Sequence, residues 1–580
     1  MIAAQHNTRW GEATIDELIR LGSPHFCVVA GSRSTPLAAA AVKQDRVPCD
    51  VFTDERSAAF FALGVGQATG RPATVITTSG TAVANLAPAV HEASAAGVPL
   101  LALTADRPPE LRQTGANQTI EQPGIFAGAV RWSFDLPCPT EAIPMRALRS
   151  TIDHAYARTL VVPPGPVHLN CMYRTPLGPT DAPSTGALSE DTPPLCVHAT
   201  PLLGLRSADL ARLVELLAGC RRGLIVLGAM REPREQRAAL QLANHLGWPV
   251  FADVASGLRL HAGLRFALDP FDALLSSEAF RAACAPECVL QLGGPVVSGR
   301  FLDWRSSLPN TTHVLIRPDP RRQDPTHTVS WQLSAHLSSV ERDLREDLAP
   351  SIDTDWRDAL RTAADAVGER WSAAFHDDDA LSEPAVTRAL AEELNASSGW
   401  MLSNSMPIRN VDLFAERTGA PPTVITNRGA SGIDGILSTA IGWAHAKAQP
   451  VTVLLGDQAL LHDLNALTLL NKAPHPITVV VINNGGGGIF SFLPIAEDPE
   501  LVESTFAAAH EWRFRPIAEG FGIEAIAPTD LSAFRAAIAD SVTRPGARLI
   551  EVCTERVASR DLHHTLRARA VEAVEDALKR

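Results

Sequence analysis

The stretch that decides the fold begins with Val451-Thr-Val-Leu-Leu-Gly-Asp-Gln458 and ends with Ile477-Thr-Val-Val-Val-Ile-Asn-Asn-Gly-Gly486. Each end opens with a short apolar run rich in β-branched residues, which predicts buried strands over 451–455 and 477–482. The residues from Ala459 to Lys472 are compatible with a helix between them. The sequence therefore predicts a βαβ unit, whose right-handed crossover leaves the two strands parallel.

Polar residues follow both predicted strands at their carboxyl ends. Asp457 follows the first strand, and Asn484 lies 27 residues further along, at the start of a glycine run. Because neighbouring strands lie about 4.8 Å apart, both side chains can reach one hard cation. The glycines allow the backbone to approach a phosphate closely. An ordinary βαβ turn, with Asp457 capping the next helix and the glycines forming a loop, remains the alternative.

Length and composition narrow the class of protein. A chain of 580 residues is too long for one core, and its net charge of −13 argues against nucleic acid or an anionic membrane as a partner. With no apolar run of 18 residues and no N-terminal signal pattern, we expect a soluble cytoplasmic protein without membrane insertion. The nine cysteines lack metal-ligand spacing, which indicates buried, reduced thiols.

Two linker-like segments divide the chain. Thr175 to Pro201 is rich in Pro, Thr, Ser and Gly, and Asp347 to Asp355 is polar and leads into a predicted helix from Trp356 to Phe375. The boundaries predict an N-terminal domain over 1–180, a central domain over 200–345 and a C-terminal domain over 375–580. Strand and helix signals alternate in each, so we expect an α/β fold of three successive domains with mostly parallel sheets flanked by helices. The predicted strands are 26–30, 74–77, 100–104, 223–227, 289–292, 313–316, 400–403, 451–455, 477–482 and 548–552.

A second group of polar residues lies near the N-terminus. Thr53-Asp-Glu-Arg-Ser57 opens an alanine-rich segment that predicts a helix reaching Gly70. A glutamate at position 55, in the first turn of a helix, is ordinarily there because it interacts favourably with the helix dipole. A catalytic role for Glu55 is the alternative, and it depends on the rest of the chain.

Several motifs together resemble one enzyme family. Asp457 to Asn484 is similar to the thiamine-diphosphate (ThDP) motif, although Gln458 replaces its second glycine. The remaining motifs occur in the order Gly31-Ser-Arg-Ser-Thr-Pro36, Asp54-Glu-Arg56, Thr77-Thr-Ser-Gly-Thr-Ala82, Thr104-Ala-Asp-Arg-Pro-Pro-Glu110, Gly115-Ala-Asn-Gln118, Asn427-Arg-Gly-Ala-Ser-Gly-Ile-Asp-Gly435 and His462-Asp-Leu-Asn465. They resemble the 2-succinyl-5-enolpyruvyl-6-hydroxy-3-cyclohexene-1-carboxylate synthases, ThDP enzymes of menaquinone biosynthesis. The likeness covers nearly the whole chain and is weakest in the central domain.

The resemblance implies roles for individual residues. Asp457, Asn484 and the Gly486 carbonyl hold Mg²⁺, with Mn²⁺ as an alternative, and Glu55 is the catalytic proton relay to the aminopyrimidine of ThDP. Further ThDP contacts are implied for Gly80, Ser431, Ile433, Gly456, Gln458, Gly487, Ile489, Phe490 and Leu493. Substrate contacts are implied for Ser32, Arg33, Arg107, Asn117, Gln118, Arg300, Ser405, Arg409 and Arg428.

The arginines fit the implied substrates. The family joins 2-oxoglutarate to isochorismate, each of which carries two carboxylates, and guanidinium groups bind carboxylates bidentately. We predict that all five arginines lie in loops, where each could equally be an ordinary surface residue. Arg300 follows Gly299, where members of the family commonly carry a lysine, so its contact with substrate is the least supported.

Two other functions remain open. One is another 2-oxoacid carboligase, such as an acetohydroxyacid synthase, which needs fewer arginines. The other is a non-catalytic ThDP-binding sensor, against which the presence of both Glu55 and Asp457 argues. Related enzymes build each site from two subunits, so the resemblance also implies a homo-oligomer, either a dimer or a tetramer.

Overall fold

Three parallel β-sheets organise the protein. The structure, a computed structural model, describes residues 2–178, 192–376, 379–417 and 419–579. In these ranges the strands are β1 (Phe26–Val29), β2 (Cys49–Phe52), β3 (Ala73–Thr77), β4 (Leu100–Asp106), β5 (Trp132–Leu136), β6 (Pro166–Met172), β7 (Gly223–Leu227), β8 (Val250–Ala252), β9 (Cys288–Leu292), β10 (Thr312–Arg317), β11 (Trp331–Ser334), β12 (Gly399–Leu402), β13 (Thr423–Thr426), β14 (Val451–Gly456), β15 (Ile477–Asn483), β16 (Glu524–Ile526) and β17 (Ala547–Cys553). The predicted α/β class is confirmed.

The first and third sheets have the same topology. Their strand orders are β2-β1-β3-β4-β6-β5 and β13-β12-β14-β15-β17-β16, so each strand of one has a counterpart in the other. The second sheet has the order β11-β10-β9-β7-β8, and every pairing in all three is parallel. The central strands β4, β7, β9 and β15 are buried along their whole length. Such burial explains their continuous apolar runs, because helices cover both faces of a parallel sheet.

Helices connect and cover the strands. In the described ranges they are α1 (Ile2–Leu21), α2 (Thr35–Lys43), α3 (Glu55–Thr69), α4 (Thr81–Ala84), α5 (Ala87–Ala96), α6 (Met145–Leu160), α7 (Ser207–Gly219), α8 (Pro233–Leu246), α9 (Phe271–Leu274), α10 (Glu278–Ala283), α11 (Gly299–Ser306), α12 (Leu337–Asp347), α13 (Thr354–Phe375), α14 (Glu383–Glu393), α15 (Met406–Phe414), α16 (Ile436–Lys447), α17 (Asp457–His462), α18 (Leu467–Leu470), α19 (Pro499–Leu501), α20 (Phe514–Gly520), α21 (Leu531–Thr543) and α22 (Arg556–Leu578). No helix in these ranges has a stretch long and apolar enough to span a bilayer.

The chain forms two compact units that are discontinuous in sequence. Unit 1 contains residues 1–200, 427–449 and 459–475, and unit 2 contains 201–426, 450–458 and 476–580. The first sheet therefore belongs to unit 1, and the second and third sheets belong to unit 2. Within unit 1, α16 packs closely on α3: a Cβ on Gly442 would lie 2.0 Å from the Phe61 carbonyl oxygen. A side chain at that position would push the two helices apart.

The predicted helix over 459–472 is wrong as a continuous element. It divides into α17, a 3₁₀ turn over Leu464–Ala466 and α18. The break occurs at Asp463, whose carboxylate oxygen Oδ2 accepts hydrogen bonds from the backbone N–H groups of Leu437 and Ser438, at 2.7 and 3.1 Å. The backbone of Asp463, with φ −121° and ψ 18°, departs from helical values and ends α17 there.

Two further predictions need correction. Arg300 and Arg409 lie in the first turns of α11 and α15 rather than in loops. The expectation of buried thiols fails for Cys196 and Cys553, which are exposed. Of the predicted linker from Thr175 to Pro201, residues 179–191 lie outside the described ranges, and residues 192–201 form neither helix nor strand.

Candidate active site

Polar residues of unit 1 gather at the carboxyl edge of the first sheet, the edge where open parallel sheets bind ligands. Ser32 and Arg33 follow β1, Gly80 follows β3 and Arg107 follows β4 directly. These strands are neighbours in the sheet, so the topology explains why residues far apart in sequence meet there. Asn117 and Gln118 belong to an exposed loop beyond β4.

Two guanidinium groups lie close together at this edge. Arg33 Nη1 donates to the Tyr173 carbonyl at 2.7 Å, and Arg107 Nη1 donates to the Ser79 hydroxyl. Burial lowers the pKa of both arginines, and the charge of Arg107 lowers that of Arg33 further. Among the described residues neither forms an ion pair with a carboxylate, and Arg33 Nε lacks a hydrogen-bond partner. Two partly desolvated cations in this arrangement favour an anionic ligand.

The loop that carries Gln118 is held against the turn after β3. Gln118 has a positive φ of 55°, and its Nε2 donates to the Ser79 carbonyl at 2.9 Å. Gly80 also has a positive φ, 85°, and its N–H donates to the Gln122 side chain at 3.0 Å. A Cβ at Gly80 would lie 3.0 Å from Gln118 Cγ, so the glycine is needed for this close approach.

Glu55 is the first residue of α3 and is half-buried. The helix is capped by Asp54, whose Oδ1 accepts from the Arg56 N–H at 2.9 Å. The N-cap is therefore Asp54, and Glu55 lies in the first turn, where its charge also interacts favourably with the helix dipole. Glu55 Oε2 accepts a hydrogen bond from Asn85 Nδ2 at 3.1 Å.

The segment after Asn427 is also part of unit 1. Its backbone is fixed by Glu92, whose carboxylate accepts from the N–H groups of Gly429 and Ala430, at 2.7 and 2.6 Å. Ser431 has a positive φ of 62°, an uncommon conformation for a serine that is often found at functional sites. The same segment carries Arg428 and the half-buried Ile433.

In unit 2, Asp457 lies at the carboxyl end of β14 with its side chain 2% exposed. Its Oδ2 accepts from the Gly486 N–H at 2.8 Å and lies 3.4 Å from His510 Nε2. Burial raises the pKa of Asp457, while the hydrogen bonds from Gly486 and Gln458 oppose that shift. Gly486 has a φ of 141°, and a Cβ there would lie 2.4 Å from the Ala507 carbonyl oxygen, so this turn requires glycine.

Asn484 presents a free amide oxygen beside this turn. Its Nδ2 donates to Glu383 Oε1 at 3.0 Å, whereas its buried Oδ1 has no hydrogen-bond partner among the described residues. The other oxygen of Glu383 accepts from Asn410 Nδ2 at 2.9 Å. Because Glu383 fixes the amino group of Asn484 on one side, the unsatisfied oxygen is left for a cation. A buried carboxylate and an unpaired amide oxygen are the ligand types that suit Mg²⁺ or Mn²⁺.

A cleft of about 640 Å³ adjoins these residues. Asn484, Gly485 and Ser491 line it together with Arg556, whose guanidinium donates to the Asn484 carbonyl at 3.2 Å. Ile489 and Phe490 lie in the 3₁₀ segment Gly488–Phe492, which ends at Leu493. The side chain of Leu493 is 43% exposed. Gln458 Nε2 donates to the Ala508 carbonyl at 3.3 Å, so the residue that departs from the ThDP motif supports the loop opposite.

Ser405 and Arg409 form a local pair at the start of α15. Ser405 has a positive φ of 70°, and its carbonyl accepts from Arg409 Nη1 at 2.5 Å. Arg300 instead forms an ion pair with Asp272, whose Oδ1 lies 2.5 Å from its Nη1. Asp272 already binds part of the Arg300 guanidinium group, so fewer of its N–H donors remain for a substrate carboxylate. This agrees with the sequence, which supports Arg300 least among the five arginines.

The predicted site residues thus fall into two sets. Unit 1 carries Ser32, Arg33, Glu55, Gly80, Arg107, Asn117, Gln118, Arg428, Ser431 and Ile433. Unit 2 carries Arg300, Ser405, Arg409, Gly456, Asp457, Gln458, Asn484, Gly486, Gly487, Ile489, Phe490 and Leu493. Sequence reasoning missed Glu383 and His510, because an acid in the first turn of a helix and a lone loop histidine have ordinary structural explanations.

Three family models match the chain in succession. They are the thiamine pyrophosphate enzyme N-terminal TPP binding domain over 8–125, the middle domain of thiamine pyrophosphate over 210–399, and the thiamine pyrophosphate enzyme C-terminal TPP binding domain over 411–552. The three sheets lie in the same order as these matches. The fold and the site therefore define a ThDP-dependent enzyme.

Curated relatives narrow the class to one family. A 2-succinyl-5-enolpyruvyl-6-hydroxy-3-cyclohexene-1-carboxylate synthase from Rubrobacter xylanophilus is 41% identical over 97% of this chain and 98% of the relative. A synthase of the same name from Salinibacter ruber is 41% identical over 98% of this chain and 97% of the relative. Another, from Chlorobaculum tepidum, is 39% identical over 100% of this chain and 99% of the relative. The chain belongs to the 2-succinyl-5-enolpyruvyl-6-hydroxy-3-cyclohexene-1-carboxylate synthase family.

Proposed function

We propose that the protein decarboxylates 2-oxoglutarate and adds the remaining succinyl unit to isochorismate, releasing CO₂, as a step of menaquinone biosynthesis. The proposal rests on the family and on the chemistry of the two sets of site residues. When bound, ThDP supplies a nucleophilic carbon and an electron sink for the decarboxylation. The chain supplies the binding groups, the proton relay and the exclusion of water.

Asp457, Asn484 and the Gly486 carbonyl are the proposed ligands of Mg²⁺, with Mn²⁺ as an alternative. The unpaired Asn484 Oδ1 and the buried Asp457 carboxylate support this assignment. Gly456, Gln458 and Gly487 would contact the diphosphate, where glycine backbone N–H groups can approach closely. Ile489, Phe490, Leu493 and Ile433 would provide apolar contacts to the cofactor, and Gly80 and Ser431 would lie beside it.

Glu55 is the proposed proton relay. Its Oε2 is held by Asn85, which orients the carboxylate without adding charge. In this role Glu55 exchanges a proton with the N1′ atom of the cofactor's aminopyrimidine.

The pair formed by Arg33 and Arg107 is the observation that carries the substrate proposal. Two guanidinium groups lie partly buried at the carboxyl edge, near Asp106 but in ion-pair contact with no carboxylate of the described residues, and they favour a substrate with carboxylates. Ser32, Asn117 and Gln118 would add hydrogen bonds to the hydroxyl and carboxylate oxygens of isochorismate. Ser405, Arg409, Arg428 and, with weaker support, Arg300 are the remaining proposed substrate contacts.

The decisive assay uses purified protein with ThDP, Mg²⁺, 2-oxoglutarate and isochorismate. We expect isochorismate absorbance to fall and CO₂ to be released in equal amounts, and neither to occur without ThDP. Arg107→Ala should raise the KM of a dicarboxylate roughly 10- to 150-fold, the scale of a lost charge-assisted pair, and Arg107→Lys should recover part of that loss. The exposed Arg146 provides the matched control variant, Arg146→Ala.

Other outcomes would favour the alternatives. Turnover of pyruvate in place of 2-oxoglutarate, with flavin in the purified protein, would indicate an acetohydroxyacid synthase. Binding of ThDP without CO₂ release from 2-oxoglutarate would indicate a non-catalytic sensor. Unchanged KM values in Arg107→Ala would contradict the proposed substrate contact even if the overall reaction occurs.

We also propose a cytoplasmic homo-oligomer, either a dimer or a tetramer, with domains over 1–180, 200–345 and 375–580. The assignment of site residues to two units supports this arrangement, because in the family each site combines the N-terminal domain of one subunit with the C-terminal domain of another. Light scattering coupled to size-exclusion chromatography tests it. A monomer with full activity would contradict it.

A further inference from the structure

Three metal-binding side chains meet at the amino-terminal edge of the first sheet. His25 immediately precedes β1, Asp50 belongs to the neighbouring β2, and His445 lies in the last turn of α16. All three belong to unit 1. They lie at the opposite end of the strands from Arg33 and Arg107, so the substrate site does not account for them.

The ligand atoms of this cluster, His25, Asp50 and His445, all lie within 4.8 Å of one another. His25 Nε2 is 2.9 Å from Asp50 Oδ2, a contact at hydrogen-bond distance that already brings two of the ligand atoms together. The two imidazole rings are 4.7 Å apart and almost perpendicular, at 88°. Atoms bound tetrahedrally to one zinc ion at about 2.0–2.1 Å lie about 3.4 Å from one another, so side-chain movements of up to about 1.5 Å would close the cluster on an ion.

The chemistry of the cluster selects the type of ion. Two imidazoles and one carboxylate suit zinc and the other late first-row divalent metals, whereas Mg²⁺ prefers oxygen ligands. His25 is 1% exposed but the Asp50 side chain is 44% exposed, which gives an ion access from the solvent.

Charged and aromatic side chains surround the cluster and would act on an ion bound there. His475 acts electrostatically on His445, and Lys472 acts on Asp50, where its charge opposes a bound cation. Phe61 of α3 packs against both imidazole rings, with centroids 5.1 and 5.8 Å away. The surrounding residues thus leave a partly enclosed position lined by one carboxylate and two imidazoles.

We propose that His25, Asp50 and His445 form a structural site for one zinc-class divalent cation. The ion would join the end of α16 to the edge of the first sheet, two parts of unit 1 that are more than 390 residues apart in sequence. Since the folded protein alone brings the ligands together, binding would stabilise the fold in proportion to the free ion concentration. This site is separate from the one proposed for Mg²⁺.

Zinc titration of the whole protein tests the site. The protein is saturated with ThDP and Mg²⁺, titrated with Zn²⁺ in a calorimeter, dialysed and analysed for bound metal. We expect one zinc per chain and a higher melting temperature in its presence. His445→Gln and Asp50→Asn should each weaken binding by roughly tenfold or more, the loss typical of a disturbed metal site, and should abolish the rise in melting temperature.

His91→Gln is the matched control, because His91 is an exposed histidine on α5 of the same unit. It should bind zinc as the wild type does. Replacing the buried His25 risks misfolding, so the half-buried His445 and Asp50 carry the test. Absence of saturable zinc uptake by the wild type, or wild-type uptake by both His445→Gln and Asp50→Asn, would overturn the proposal.

Discussion

At the scale of single residues, the Glu55→Gln variant distinguishes a role of Glu55 in catalysis from a role in ThDP binding. Glu55→Gln retains the hydrogen bond to Asn85 but cannot exchange a proton. We expect the variant to fold and bind ThDP while turnover falls roughly 10²-fold or more, the scale of general acid–base catalysis. Glu141→Gln, at a side chain 82% exposed in the same unit, is the control. Steady-state kinetics and ThDP calorimetry make the comparison, and near-normal turnover would remove Glu55 from the mechanism.

Glu383 is expected to control the metal site through Asn484. Its two oxygens accept from Asn484 and Asn410, and a glutamine there has only one oxygen for these two donors. Glu383→Gln should therefore let the Asn484 amide turn and weaken Mg²⁺-dependent ThDP binding about 10- to 100-fold. Calorimetry at varied Mg²⁺ measures this directly.

Glu393→Gln at the other end of α14 is the control for Glu383, and it should bind the metal normally. Asp457→Ala removes the only charged group among the three proposed metal ligands, so we expect it to abolish metal-dependent ThDP binding. If Glu383→Gln binds Mg²⁺ as tightly as the wild type, Glu383 does not position Asn484.

The individual residues show where sequence reasoning succeeds and where it stops. The placement of Asp457, Asn484 and the glycines at the ends of β14 and β15 was predictable, because strand ends and backbone flexibility are properties of short segments. Their roles at the metal stay predictions. Glu383 was not predictable, because its role depends on a hydrogen bond to a residue 101 positions away. The assignments of Ser431 and Ile433 came only from the family motif, and their roles stay predictions.

At the scale of elements, the protonation of Asp463, which caps α16, is expected to make the stability of the fold depend on pH. Burial raises the pKa of this carboxyl to about 6, above the value of about 3.9 for an unfolded chain. The folded state therefore holds the proton more tightly, so this group stabilises the fold at low pH and loses that effect as the pH rises from about 4 to about 6. Asp463→Asn keeps an acceptor for the two N–H groups and should be more stable than the wild type at pH 7.

Melting temperatures measured from about pH 4.5 to pH 7.5 test this prediction. The wild type should lose stability relative to Asp463→Asn across that interval, by at most about 3 kcal/mol in the free energy of unfolding. Asp463→Ala, which removes the cap, should be destabilised by about 1–2 kcal/mol at every pH. Parallel profiles for wild type and Asp463→Asn would show that Asp463 does not titrate as proposed.

Gly442 tests the packing of α16 on α3. An alanine ordinarily favours a helix over glycine by about 1 kcal/mol. At this position its Cβ would lie 2.0 Å from the Phe61 carbonyl oxygen, and overpacking of this kind costs about 1–3 kcal/mol. We therefore expect Gly442→Ala to lower the melting temperature. Gly368→Ala in α13, where a Cβ meets no atom within 4 Å, should raise it or leave it unchanged. Equal effects of the two substitutions would contradict the close helix contact.

The elements also show how far the fold could be predicted. Long buried strands such as β7, β14 and β15 appear in the sequence as apolar runs and were found within a residue or so. The edge strands β2, β5, β8, β11, β13 and β16 were missed because they have only three to five residues. The internal strand β6 was also missed although it is fully buried, because it begins with a proline and contains His168 and Asn170 and so lacks a continuous apolar run. The interruption after α17 could not be foreseen, since no glycine or proline marks it in the sequence and only the backbone of Asp463 shows it.

At the scale of the whole molecule, unit 1 is assembled from three stretches of the chain. A fragment of residues 1–200 lacks α16, which covers α3 in the complete protein. We expect that fragment to expose apolar surface and aggregate. The same fragment joined to residues 427–449 by a flexible linker should be more soluble and show cooperative melting. Circular dichroism and binding of a hydrophobic dye compare the two, and a stable, cooperative 1–200 fragment would contradict the prediction.

The discontinuity of unit 1 also sets the order of events on the ribosome. The first sheet is synthesised early, but the helix that covers α3 follows only after 226 further residues, from 201 to 426, have been translated. At about 5–20 residues per second this delay lasts roughly 10–45 s. Throughout that time the nascent chain presents an uncovered apolar helix face, which is the kind of surface that chaperones bind. Dependence on chaperones during synthesis follows from the chain path alone.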